Sequence, residues 1–114
     1  MTHEDNWHLF ENGQTLGTQG TEHGRILQDE EHRDGARITL EQCNYPPFAI
    51  TCGIYGWMFH TTFAAEEQEA KERFDTMKHG LEEILQLIPY EDDPELETKM
   101  QLVYPAIEQF VRRF

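Results

Sequence analysis

The sequence predicts an α+β fold: an antiparallel β-meander of about five or six strands, packed on one face by two C-terminal helices. Two observations carry this. Seven of the eight glycines lie before residue 57. Apolar residues come in short alternating runs up to residue 63, and from residue 65 they recur every three or four positions. Strands first and helices second is the α+β order. At 114 residues the chain suits a single domain over 1–114, strand-rich in 7–63 and helical in 65–113.

Taken in order, "WHLFENGQTLG" sets Asn12-Gly13 between two alternating segments, a hairpin signal. "GRILQDEEHRDGARITLEQ" predicts a hairpin turning near Asp34-Gly35, with Ile38 and Leu40 on one face and Arg37, Thr39 and Glu41 on the other. Pro46-Pro47 break the chain before "FAITCGIYGWMFHTTFA", which reads as two strands joined by a tight turn at Gly53-Ile54-Tyr55-Gly56. Phe48, Ile50 and Cys52 share one face of the first strand. In the second, Trp57, Phe59 and Phe63 share a face and Met58, His60 and Thr62 take the other. If aromatic faces mark the core, Cys52 and His60 are expected on opposite sides of the sheet. Phe74, Met77, Leu81, Ile84 and Ile88 form a helical stripe that Pro89 ends, with Glu66, Glu67 and Glu69 suiting the helix dipole at its start. The second helix is expected to open with Asp93 as N-cap and Pro94 in its first turn. Its stripe is Leu96, Met100, Val103, Ile107, Phe110 and Phe114, and Pro105 is expected to kink or split it.

The formal charge is −13, spread over both halves: −6 in residues 1–63 and −7 in residues 64–114. Such a surface repels phosphate backbones, so nucleic acid is not an expected partner, and a basic protein is the natural one. Residues 42–65 carry no charge, but their two prolines, two glycines and polar residues make a poor membrane helix, so no membrane association is expected. "MTHEDNW" lacks the pattern of a signal peptide. Cys43 and Cys52, the only cysteines, are expected to be free thiols of a cytoplasmic protein that bind no metal.

Four motifs invite chemistry. "QDEEHRD" is acidic enough for a cation, yet neighbours on a strand point to opposite faces, so a solvated hairpin is expected. In "HEDNWH" the histidines His3 and His8 are five apart, not the four a zinc helix needs. "GQTLGTQGTEHG" has no following helix and no lysine, so its glycines read as turn residues rather than a phosphate loop. A Cys52–His60 nucleophilic pair is disfavoured by strand parity. No cofactor or metal site and no catalytic residue is assigned. The candidate binding face is the polar side of the sheet: Arg37, Thr39, Glu41, Thr51, Tyr55, His60 and Thr62.

At "GTEHGRILQDEEHRDGARITLE" and "FAITCGIYGWMFHT" the chain resembles a group of small, acidic, uncharacterised bacterial proteins over roughly residues 7–88. The resemblance implies a bacterial cytoplasmic setting and brings no activity. The functional expectation is a non-enzymatic binding or regulatory module, antitoxin- or immunity-like in one version, acting through the open sheet face or the C-terminal helix. The alternative is a small hydrolase or transferase with His60 as acid–base group, helped by Glu41 or Tyr55. The long apolar stripe of the last helix also predicts a homodimer through it.

Overall fold

The hairpin expected near Asp34-Gly35 lies at the centre of the sheet's polar face. Gly35, at φ +112°, donates its N–H to the His32 carbonyl at 3.0 Å. It thereby reverses the chain between β2 (Arg25–His32) and β3 (Ala36–Gln42). The computed structural model describes residues 6–114. It continues the meander through β4 (Phe48–Ile54) and β5 (Met58–Ala64) and adds β1 (Trp7–Leu9) beside β2. The five strands are antiparallel in the order β1-β2-β3-β4-β5. Helices α1 (Glu67–Leu87) and α2 (Leu96–Arg113) follow, so the predicted α+β fold is the one observed.

Both helices pack on one side of the sheet. Ile38, Leu40, Ile50, Cys52 and Ile54 face Phe74, Met77 and Leu81 of α1, all essentially removed from solvent. Each such aliphatic or aromatic side chain contributes about 1.5–3 kcal/mol. α2 leans on α1 near β5, seating the Phe110 ring over Gly80, where an added Cβ would stand 2.8 Å from a ring carbon. Phe110 is therefore buried within its own chain, and the exposed apolar side chains of α2 are Leu102, Tyr104 and Val111. The helix starts at Leu96, later than expected, yet Asp93 still secures its entry by accepting the Glu95 N–H at 2.8 Å. Pro105 does not divide it. The proline ring is on the exposed side, where water can take the carbonyl its missing N–H leaves free.

Two expectations fail, each through a turn. Asn12-Gly13 makes no hairpin: Phe10–Gly13 form a turn that is 3-10 in its hydrogen bonding alone, because Glu11 and Asn12 are left-handed (φ 47° and 58°) and outside helical geometry. The turn swings the chain over the open sheet face and seats the Phe10 ring 3.6 Å beneath the Arg37 guanidinium. In the β4–β5 hairpin, Ile54 is paired with Met58, and Trp57 N–H donates to the Ile54 carbonyl at 2.9 Å. The connection thus has three residues, with Gly56 at φ +82°. A two-residue turn would have put Trp57, Phe59 and Phe63 on the core side. One more residue reverses every side chain of β5.

His60 and Thr62 consequently face the helices, not the polar platform expected of them. His60 is in register with Cys52 and lies edge-on to Phe110 at 6.4 Å, and the Thr62 hydroxyl accepts a hydrogen bond from Arg73 at 3.3 Å. Phe59 and Phe63 are left on the open face, 80% and 45% exposed.

The Gly80–Phe110 contact yields a test of helix docking. Gly80→Val should lower stability by about 1–3 kcal/mol, the usual cost of overpacking, read as a lower melting temperature. An unchanged melt would show that α2 does not depend on this seat.

Candidate functional site

The open sheet face is not an open platform. After the 3-10 turn, residues 14–24 run across it as a strap and rejoin β2 by backbone bonds. Gly17 N–H donates to the Ile26 carbonyl (2.8 Å) and Ile26 N–H to the Thr18 carbonyl (2.9 Å). Between strap and sheet lies a cavity of about 490 Å³. Its floor is Ile26, Arg37, Thr39, Thr51 and Gly53. One wall is Thr15, Thr18, Gln19, Gly20 and Thr21 of the strap, and the other is Tyr55 and Phe59. The volume falls in the range of small-molecule sites.

Two fully buried carboxylates hold the strap. Glu41 accepts the backbone N–H groups of Gly24 (3.0 Å) and Glu22 (3.2 Å), and Gly20 lies so close that any Cβ there would collide with the carboxylate. Asp29 accepts Arg37 Nε at 3.0 Å and Nη2 at 2.7 Å, plus the Thr15 hydroxyl at 2.8 Å. The forked bond to Asp29 is also the main reason the Arg37 proton is held more tightly than usual. Arg37 thus lines the cavity as half of a neutral pair, stacked on Phe10, with its Nη1 group unbonded among the described residues.

At the far wall Tyr55 donates its hydroxyl to Glu31 at 2.7 Å. That bond is the largest influence holding the Glu31 carboxyl below the usual range, with His8 adding to it. Burial, then the bond to Glu31, pushes the Tyr55 phenol up to about 12.

Of the seven residues expected on one face, Arg37, Thr39, Thr51 and Tyr55 do line one cavity. Glu41 lies beneath the strap as its anchor, while His60 and Thr62 are on the other side of the sheet. His60 therefore does not meet Glu41 or Tyr55, the acid–base partners expected of it. It does sit opposite Cys52, but burial drives that thiol up to about 12, so it is protonated at neutral pH and not an activated nucleophile. Both cysteines are free thiols.

The acidic hairpin divides as strand parity requires, with Asp29 and Glu31 on the open face and Glu30 and His32 towards α1. It is not uniformly solvated, however, for Asp29 is entirely buried. Asp29 was only half legible: the connection has three residues, Arg33 to Gly35, which pairs Asp29 with Thr39 diagonally beside Arg37, whereas a two-residue turn on Asp34-Gly35 would pair it with Leu40 and send it to the other face. The strap's role had no such signal, and the His3 of the discounted zinc motif lies outside the described residues. Among the described residues no helix is long and apolar enough to cross a membrane. No family model, curated protein or solved structure matches this chain.

The geometry gives two tests. Asp29→Ala removes three hydrogen bonds and unpairs Arg37. Losing one partner of an enclosed pair costs about 3–5 kcal/mol, and because Arg37 retains some access to water, about 2–3 kcal/mol is expected by denaturant titration. For Tyr55 the folded-state value lies above the ordinary 10.0, so its contribution to stability is complete below pH 10 and lost as pH rises through about 12. Ultraviolet titration should show one late-ionising tyrosine that disappears in Tyr55→Phe, with a shallower fall in melting temperature over that interval.

Proposed function

We propose that the protein is a non-enzymatic binding module whose site is the cavity between the strap and the open sheet face. One observation carries this reading: two carboxylates are fully buried to hold a loop across a sheet face that water would otherwise cover. Burying charge is a poor way to gain stability. It is a good way to fix a loop in one place, and what the fixed loop creates is a walled cavity.

The lining argues for the ligand class. Its surface is mostly apolar, with Ile26 and Phe59 supplying side chains, and hydroxyls from Thr18, Thr39 and Thr51 are spaced across it. The cation is neutralised by Asp29, and Glu31 and Glu41 lie close by, so an anion gains little. A neutral, largely apolar molecule with one acceptor group, such as a carbonyl or ether aimed at the free Nη1 of Arg37, satisfies the chemistry.

Titration with Nile red, an uncharged apolar dye, checks this. It should bind once per chain with about micromolar affinity, and Thr51→Trp, which fills the cavity from its floor, should weaken binding at least about tenfold. Equal binding to wild type and variant would place the dye elsewhere, such as the groove between Leu87 and Phe114, and would refute the assignment.

A further inference from the structure

We infer that the free edge of β5 is a two-fold interface, pairing with β5 of a second copy of this chain to join the two sheets into one of ten strands. This interface is distinct from α2 and does not rest on the identity of the ligand.

β5 turns its phenylalanines outward. It is inside-out for an isolated protein: His60 and Thr62 face the helices, while Phe59 and Phe63 stand in solvent. Large exposed aromatic side chains on a strand mark a contact surface. Apart from Arg73 at the Phe63 carbonyl, the strand carries none of the usual edge guards. It has no charged residue and no proline, and its register with β4 runs unbroken from Ala64 to Met58. The opposite edge, by contrast, is a three-residue strand flanked by the His8–Glu31 pair.

Alternate backbone groups of β5 also point outward from the sheet. Tyr55 N–H donates to the Gly35 carbonyl, and at the other end of the same ladder Cys43 N–H donates to the Pro47 carbonyl at 2.6 Å. These two bonds set the alternation: Thr51 and Gly53 bond towards β3, while Ile50, Cys52 and Ile54 bond towards β5. In β5 their partners Thr62, His60 and Met58 are satisfied, and Phe59, Thr61 and Phe63 direct N–H and C=O outward. Arg73 reaching the Phe63 carbonyl at 2.6 Å corroborates this direction, and that oxygen keeps a second lone pair.

The residue order of the strand identifies the partner. Phe59, Thr61 and Phe63, the outward-bonding residues, read the same in both directions about Thr61. Two antiparallel copies centred there place Thr61 opposite Thr61 and Phe59 opposite Phe63, with each opposed pair able to exchange both hydrogen bonds. A second copy is equally acidic overall, so two chains can approach only where charge is absent, and residues 42–65, which include β5, are the uncharged part. Phe59 is also the cavity's outer wall. Phe63 of the second copy would back it and shield the site from solvent on that side.

Sedimentation equilibrium from about 1 to 100 µM (the range that resolves a micromolar dimer) tests the interface. Wild type should reach the two-chain mass. Thr61→Lys, which opposes like charges, and Phe59→Lys, at a solvent-exposed side chain, should each weaken association at least about tenfold, with circular dichroism unchanged. Thr61→Cys in a Cys43→Ala background should cross-link on mild oxidation, because opposed Cα atoms about 5.5 Å apart suit a disulfide. A wild type monomeric throughout overturns the inference. So does a dimer that both lysine variants leave intact, one abolished by Leu102→Lys on α2 instead, or cross-linking no faster than that of a Leu102→Cys control.

Discussion

The open side of this molecule depends on two carboxylates that water does not reach. Asp29 grips Arg37 and Thr15, and Glu41 grips the amides of Glu22 and Gly24. Remove those contacts and only the backbone pairings to Arg25 and Ile26 and a weak Cys43 thiol contact to the Glu22 carbonyl hold residues 14–24 against the sheet. The pattern is economical in residues: one strand, β3, supplies both Arg37 and Glu41, two neighbours apart on the same face. The hairpin partner β2 supplies Asp29 between them. Because β2 and β3 are joined by a tight turn, the hairpin register alone sets these groups relative to one another, without help from either helix. The polar architecture of the site is therefore built into a single hairpin.

The helix side obeys a different constraint. Its core is ordinary aliphatic packing around Ile38, Leu40, Ile50 and Phe74, but towards β5 the packing becomes polar. His60 meets the edge of Phe110, and its Nε2 is buried without a hydrogen-bond partner among the described residues. Arg73 ties Thr62 and the Phe63 carbonyl to α1. Lys78 does similar work at the opposite edge, pairing with Glu30 at 2.6 Å while lying over the Trp7 ring. Charged residues of α1 thus pin both margins of the sheet, and the centre is left to hydrophobic contact.

Much of this was legible in the residues. The shift from period two to period 3.6 near residue 64 marks the boundary between sheet and helices, and Asp34-Gly35 marks the turn between β2 and β3. Arg37, Thr39, Thr51 and Tyr55 were placed on one face because alternation is reliable within a strand. It is unreliable across a turn whose length is unknown. The segment Gly53 to Trp57 accommodates a two-residue or a three-residue connection, and hydrophobicity pointed to the wrong one by favouring buried phenylalanines. Asn12-Gly13 failed for a related reason. A left-handed Asn-Gly pair closes other tight turns as well as hairpins, and here the turn carries the Phe10 ring beneath Arg37 instead of starting a second strand.

The order of the strands has a consequence for how the cavity is reached. β2 to β5 are joined by short local connections, so their ladders form at small loop-closure cost. β1 and the strap are different, because fifteen residues separate Leu9 from Arg25 and their contacts close late. What closes last with few ladder bonds also opens first, as a local fluctuation far below the free energy of global unfolding. The strap can lift from the sheet by releasing the Glu41 and Thr15 contacts while every bond between β3, β4 and β5 stays intact. Amides at Gly17, Gly20 and Ile26 would then exchange with solvent deuterium well ahead of those in the central strands. That opening would also widen the mouth of the cavity.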